Sequence, residues 1–266
     1  MSLYYILVLA LIQGVTEFLP VSSSAHLILL PALTGAADQG VVLDVAVHIG
    51  TLMAVMIYFR RDVMSMFFGF GDVLRGNTKT PGARLFLLLV LATVPVVIFG
   101  LILKLTGLAE AMRSVTVIGW TMLIFGIVLY ISDRRVAPAN DRPWSVKNAV
   151  IMGIWQAIAL IPGTSRSGAT ITGARFLGYN REQSARLAML MSIPTIIASG
   201  VLLGADVVGE ANWQLAKYAG IAAVFAFAAA LGALVLMMRL LRSVSFTPYV
   251  IYRVILGVVL LYIAYS

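Results

Sequence analysis

The chain has 266 residues, 61% of them hydrophobic and 11% charged, with no cysteine, a formal net charge of +8 and a mean hydropathy of +0.99. Such a composition excludes an ordinary soluble domain, and the lack of cysteine excludes a disulfide framework or a thiolate metal site. Several apolar runs approach the roughly 20 residues that cross the hydrocarbon layer as a helix, and none alternates as a barrel strand would. The fold class is therefore an all-α integral membrane protein.

The N-terminus has no basic n-region or small-residue cleavage site and reads as mature sequence. A polar string soon follows, Gln13-Gly14-Val15-Thr16-Glu17-Phe18-Leu19-Pro20-Val21-Ser22-Ser23-Ser24-Ala25-His26. Gln13 and Glu17 are four apart and share one helix face. Pro20 disfavours helix at Leu19 and ends this limb. Ser22, Ser23 and Ser24 stand where a second helix begins, and each is as readily an N-cap as a ligand group. His26 lies about one turn further on. Only about a dozen apolar residues separate Pro20 from Gly35, near 16–18 Å of helix and half a bilayer. Residues 3–34 are therefore expected to form a re-entrant hairpin with its tip at Pro20 to Ser24.

Three spans are predicted next, near 41–59, 82–104 and 114–132. The first carries Asp44 and His48 at i, i+4, which could line a cavity with the polar string or bond across helices. A second polar string, Pro162-Gly163-Thr164-Ser165-Arg166-Ser167-Gly168-Ala169-Thr170, sits at the tip of a matching hairpin over 145–178. Gly163 permits a tight turn, and a helix opening after Thr164 offers free amides to an anion. Arg166 adds a planar fork suited to two phosphate oxygens. Glu182 and Arg186 read as a solvated i, i+4 pair. The last spans fall near 184–205, 213–238 and 247–265, the 213–238 run being rich in small residues for close packing.

Arg60, Arg61, Arg75, Lys79 and Arg84 fill one connection, and Arg134, Arg135, Arg142 and Lys147 another. Arg175, Arg181 and Arg186 follow the second string, and Arg239 and Arg242 precede the last span. The positive-inside rule places these in the cytoplasm, which accounts for the charge without nucleic acid. The spans then alternate correctly only if neither hairpin crosses, so the first enters from outside and the second from the cytoplasm. An offset of 142 residues aligns Pro20 with Pro162, Ser22 with Thr164 and Ser23 with Ser165. The chain thus reads as one membrane domain over 1–266, with repeats at 1–132 and 145–266, each a hairpin plus three spans, the second inverted. Carboxylate, imidazole, guanidinium and hydroxyls at membrane depth point to an intramembrane phosphate-handling site.

Gln13, Glu17, the run from Pro20 to His26, the run from Pro162 to Ser167 with Thr170, and the segments Asp44 to Thr51 and Ile193-Pro194 together resemble the bacterial undecaprenyl-diphosphate phosphatase family linked to bacitracin resistance. The resemblance covers nearly the whole chain. It implies a hydrolase that removes the terminal phosphate of the C55 isoprenoid diphosphate, giving the monophosphate carrier used in cell-wall synthesis. By this resemblance Glu17, Ser23, His26 and Arg166 are the catalytic set. Gln13, Ser22, Ser24, Gly163, Thr164, Ser165, Ser167 and Thr170 are expected to bind substrate. A divalent cation, Mg²⁺ or Ca²⁺, is implied, with Glu17 and Gln13 as ligands; family members often carry Glu where Gln13 stands. A bacterial inner-membrane location with the site facing the periplasm or outer side follows, and a homodimer is open. The competing class is a transporter or flippase of an anionic isoprenoid lipid.

Overall fold

A computed structural model describes residues 2–35, 39–137, 141–207 and 213–266. Among the described residues every regular element is a helix: α1 (Leu3–Phe18), α2 (Ser23–Thr34), α3 (Gly40–Tyr58), α4 (Arg60–Leu74), α5 (Pro81–Thr106), α6 (Leu108–Ala111), α7 (Val115–Asp133), α8 (Val146–Ile158), α9 (Arg166–Phe176), α10 (Arg181–Val207), α11 (Trp213–Leu240) and α12 (Thr247–Tyr265). Six of these, α3, α5, α7, α10, α11 and α12, are long and apolar enough to cross a membrane, so the chain is a multi-pass membrane protein. Each falls within a few residues of its predicted span. The connection after the first span, read as a basic loop, instead holds α4, which packs along α5 and leaves Phe67 and Phe68 exposed.

α1 and α2 form one helix pair, and α8 and α9 another. Their lengths of 16, 12, 13 and 11 residues correspond to about 24, 18, 20 and 16 Å, each short of a ~30 Å hydrocarbon layer. Each pair leans on a long helix from the other half of the chain. α1 lies against α11 and α8 against α5. Close approach of α1 depends on Gly14: a Cβ there would sit 2.6 Å from both the Ala226 carbonyl oxygen and the Ala229 methyl. The small residues of the 213–238 run thus serve the packing expected of them. α3 and α10 close the middle of the bundle, and α7 pairs with α12.

The charged ends of the helices are tied to one another. Asp133 takes Arg181 at 2.7 Å and Arg175 at 3.4 Å, and also accepts from the Phe246 amide. Arg186 pairs with Asp62 of α4, and Glu182 with Arg242 at 3.4 Å. The expected Glu182–Arg186 pair is not formed. Both side chains reach across to other helices, where tertiary partners win over an i, i+4 contact worth only ~0.2–0.5 kcal/mol.

Candidate active site

The two polar strings finish alike, each in a positive-φ serine that opens the second helix of its pair. Ser22 (φ 73, ψ 90) and Ser165 (φ 71, ψ 114) are the described non-glycine residues with positive φ. Each is the N-cap of its second helix and accepts from the amide three residues on, Ala25 at 3.4 Å and Gly168 at 3.1 Å. Each hydroxyl also lies 3.2 Å from the serine two residues on, Ser24 or Ser167. Backbone conformation therefore matches Ser22 with Ser165, a shift of 143 positions. The 142-residue alignment pairs Ser22 with Thr164 and is out by one. In the structural register Ser23 corresponds to Arg166, and Gln13 to Gln156.

Left-handed backbone at a serine costs of order 1–3 kcal/mol and persists only where its surroundings over-determine it. Here the tips brace each other: Ser167 donates to the Leu19 carbonyl at 2.9 Å, and Thr121 of α7 donates to the Pro162 carbonyl at 2.6 Å. Gly163, at φ +87, is pressed against α7, and a Cβ there would lie 2.8 Å from the Ile118 carbonyl oxygen. Only glycine meets both demands.

Where the tips meet, the buried Glu17 carboxylate is the hub. Its Oε2 accepts from Ser23 Oγ at 2.7 Å and from Gln13 Nε2 at 2.8 Å; its Oε1 accepts from Arg166 Nη2. Residues 149 positions apart are thus in direct contact. His48 of α3 brings its Nε2 to 3.9 Å from Glu17 Oε2. Its Nδ1 lies 2.7 Å from the Asp44 carbonyl oxygen. A carbonyl only accepts, so Nδ1 carries a proton and the ring turns its Nε2 edge toward the site. Glu17, Asp44, His48, Gln156 and Arg166 line one cavity of about 440 Å³. An apolar groove of about 400 Å³ between α5 and α10 shares Val96, Leu160, Thr195, Ser199 and Val201 with that cavity and runs on past Gly100 and Leu101.

Several buried polar atoms at this junction have no protein partner: Arg166 Nη1, both amide atoms of Gln156, Gln13 Oε1 and Thr164 Oγ1. Gln13 must turn its NH₂ toward the carboxylate, so its Oε1 is the atom left over. Each such group costs roughly 1–3 kcal/mol if it stays unpaired, which marks the spot as a place built for a polar ligand.

The remaining sequence-predicted residues divide differently. Ser22, Gly163 and Ser165 build the tips. Ser167 clamps one tip to the other, and Thr170 donates to the Arg166 carbonyl at 2.8 Å. Ser24 is exposed at the entrance to α2. His26 bonds the Ser22 carbonyl through Nδ1 at 2.7 Å and Tyr252 Oη through Nε2 at 2.5 Å, stacked on that ring at 5.7 Å. It therefore stands on tip and α12, whereas His48 stands beside Glu17. Gln156 escaped the sequence reading because the 142-residue offset hides its match to Gln13.

The chain matches the sequence profile described as Bacitracin resistance protein BacA over residues 6–259. It is 65% identical to a protein of Dinoroseobacter shibae over the full length of both chains, and 63% identical to one of Ruegeria pomeroyi, again over both full lengths. A protein of Hahella chejuensis is 45% identical over 96% of each chain. All three relatives bear the name undecaprenyl-diphosphatase. With a profile spanning almost every helix of the site and relatives aligned end to end, this chain belongs to the bacitracin resistance protein BacA family.

Proposed function

We propose that this protein hydrolyses undecaprenyl diphosphate to undecaprenyl phosphate and inorganic phosphate, returning the lipid carrier to cell-wall synthesis. One observation carries the chemical reading: a serine hydroxyl 2.7 Å from a buried carboxylate, with a guanidinium holding the other carboxylate oxygen. This is an activated nucleophile, its base, and a third group that orients the base. Arg166, which lines the cavity and whose Nη1 has no protein partner, supplies the anion's first contact. Gln156 adds an amide donor, and the apolar groove past Gly100 suits an isoprenoid chain.

In the reaction Ser23 Oγ attacks the terminal phosphorus while its proton passes to Glu17 Oε2. The P–O bond to the inner phosphate breaks, and the lipid monophosphate leaves. Glu17 passes that proton to the departing monophosphate oxygen; water then attacks the phosphoserine and gives its proton to Glu17, which returns it to Ser23 Oγ as inorganic phosphate is released. Phosphoryl transfer asks mainly for positioning and neutralisation of charge, and Arg166 provides both. As phosphate oxygens draw the guanidinium, they loosen its hold on Glu17 as that carboxylate accepts the proton. His26 keeps the Ser22 carbonyl in place and with it the strained cap that aims Ser23.

Among the described residues no three acidic or imidazole groups cluster as a self-sufficient metal site. The donors present do suit a hard cation shared with substrate: the Glu17 carboxylate and the orphaned Gln13 Oε1. Mg²⁺ or Ca²⁺ held there with diphosphate oxygens would neutralise charge on the transferring group.

Release of phosphate from undecaprenyl diphosphate by the purified protein in detergent tests the reading, and a pure flippase would release none. Trapping phosphate on Ser23 separates the covalent route from direct attack by water that Glu17 activates. We infer further that the helix pairs are re-entrant and that the site opens to the periplasmic side of the inner membrane, because the basic connections fall opposite Gly35. A cysteine at Gly35 should then react with an impermeant thiol reagent in intact spheroplasts. Labelling only after permeabilisation would reverse the orientation.

A further inference from the structure

Arg253 is the largest fully buried side chain in the described residues, with 0% of its surface exposed, two turns into α12. A charge at that depth is expensive, and it ordinarily pairs with a carboxylate or serves the function. Arg253 forms no ion pair. Its guanidinium is surrounded by backbone carbonyls instead: Nη2 donates to Thr164 at 2.8 Å, Gly163 at 3.1 Å and Thr121 at 3.4 Å, and Nη1 lies 3.5 Å from Pro20. In the structural register, 143 positions apart, Pro20 and Gly163 are equivalent residues of the two tips. One side chain therefore holds matching carbonyls of both turns.

Its room is provided deliberately. A Cβ at Gly168 in α9 would come within 2.8 Å of Nη1, and one at Gly126 in α7 within 3.3 Å of the Arg253 Cβ. A guanidinium suits the task because its donors lie in one plane with fixed directions; an ammonium reaches the same carbonyls only one at a time. Three of the four carbonyls belong to the turns that set Ser22 and Ser165 at positive φ. Pinning them fixes where the next residues, Ser23 and Arg166, point.

We propose that Arg253 is a positioning residue that locks the two tips in register, so that Ser23 and Arg166 converge on Glu17. It touches neither carboxylate nor cavity and acts through the backbone. The rate prediction rests on the phosphatase reading above; the distance prediction does not. A displacement of about 1 Å by a remote change can cost ~10²-fold in rate. Arg253→Met is expected to lower kcat by at least that factor with KM changed less than about threefold, since the cavity groups remain. Arg253→Lys should recover only a small part. Because the chain has no cysteine, Ser24→Cys with Ile161→Cys gives a clean spin-label pair across the tips. That pair should show one narrow distance in the parent and a broadened one in Arg253→Met. A purely structural role would lower the melting temperature but leave kcat per folded protein and the label distance unchanged. Should Arg253→Met fail to fold, Gly126→Ala displaces the charged side chain and should still lower kcat several-fold and broaden the distance. An unchanged distance in a folded variant, with or without loss of rate, overturns the proposal. A distance that is narrow in the parent and broadened in Arg253→Met, in a protein that releases no phosphate, would uphold the lock and sink the phosphatase reading instead.

Discussion

The loops at residues 19–22 and 159–165 differ in length, yet they finish with the same device and load it differently. Both turns end in a left-handed serine that caps the following helix, and both present the next side chain, Ser23 or Arg166, to Glu17. One turn thus delivers a hydroxyl to Glu17 and the other a guanidinium. The carboxylate belongs to the first helix pair alone: Glu17 stands in the last turn of α1, and its counterpart 143 positions on is Leu160, which lines the cavity. The two turns share a backbone device and carry different side chains, and the division can be tested one side chain at a time.

The largest effect should come from the cationic turn. Arg166 has two tasks, holding Glu17 through Nη2 and lining the cavity. Arg166→Ala should cost 10³–10⁵ in rate, about 4–7 kcal/mol, the scale of an arginine that neutralises a transferring phosphoryl group. Arg166→Lys should recover little of it, because a point charge cannot hold the base and the phosphate together. Near-parental kcat/KM in Arg166→Lys would show that charge alone suffices.

The nucleophilic turn should come next. Ser23→Ala is expected to lower kcat by about 10²–10⁴ with little change in KM, since the hydroxyl acts in the chemical step. Ser24→Ala, at an exposed hydroxyl bonded to Ser22, should be mild. If Ser23→Ala turns over at the parental rate, attack by water replaces attack by serine.

How much of this was legible in sequence follows the same division. The spans were readable because a run of twenty apolar residues has few alternatives in water or lipid, and the tips were readable because hydroxyls, proline and glycine punctuate them. Ser23, Glu17 and Arg166 stood out as polar groups in apolar surroundings, and their meeting follows from the cost of leaving each alone. The register did not follow, because one-residue shifts of a Ser-rich string look alike until φ angles distinguish them. Arg253 was visible as a charge inside the last span, yet its role depends on carbonyls, which carry no sequence signal. His48 was visible too, but only the packing of α3 decides between a cavity and a helix contact.

The two histidines sharpen the point at a smaller scale. His48→Ala should lower kcat/KM by about tenfold, roughly the 0.5–1.5 kcal/mol of one lost polar contact beside the Glu17 carboxylate. His26→Ala should act through the tip: Tyr252→Phe, which removes the other end of its hydrogen bond, should reproduce part of the loss. A His26→Ala defect far larger than that of His48→Ala, with Tyr252→Phe silent, would place His26 on the substrate itself.

Two apolar grooves permit a matched test of where the lipid chain lies. Gly100 borders the groove that joins the cavity, whereas Gly232 borders another of about 450 Å³ whose lining does not include Glu17 or Arg166. A Cβ meets only the Leu160 side chain at 3.9 Å in the first case and nothing within 4 Å in the second, so both sites tolerate a larger residue. Gly100→Phe that displaces even two methylenes forfeits ~1.6 kcal/mol, a little over tenfold in KM for a C55 substrate. A short-chain diphosphate should be nearly indifferent, and Gly232→Phe should be silent with both. The reverse pattern would move the chain to the other groove.

The smallest effects return to the turns themselves. Ser22→Ala and Ser165→Ala each remove a cap while leaving a Cβ at positive φ, so each should destabilise the protein by about 1 kcal/mol. Glycine at either position loses the same cap but sheds the left-handed strain, and its net cost should be only a few tenths of a kcal/mol. The Ala-minus-Gly difference therefore reads the backbone strain at each turn, independent of the cap. If the turns are equivalent the two differences should agree within about 0.5 kcal/mol in detergent unfolding, even though Ser22 precedes the nucleophile and Ser165 the cation. A large difference at one turn only would mean that strain is held on one side of the site. The match between Ser22 and Ser165 would then be one of geometry and not of energy.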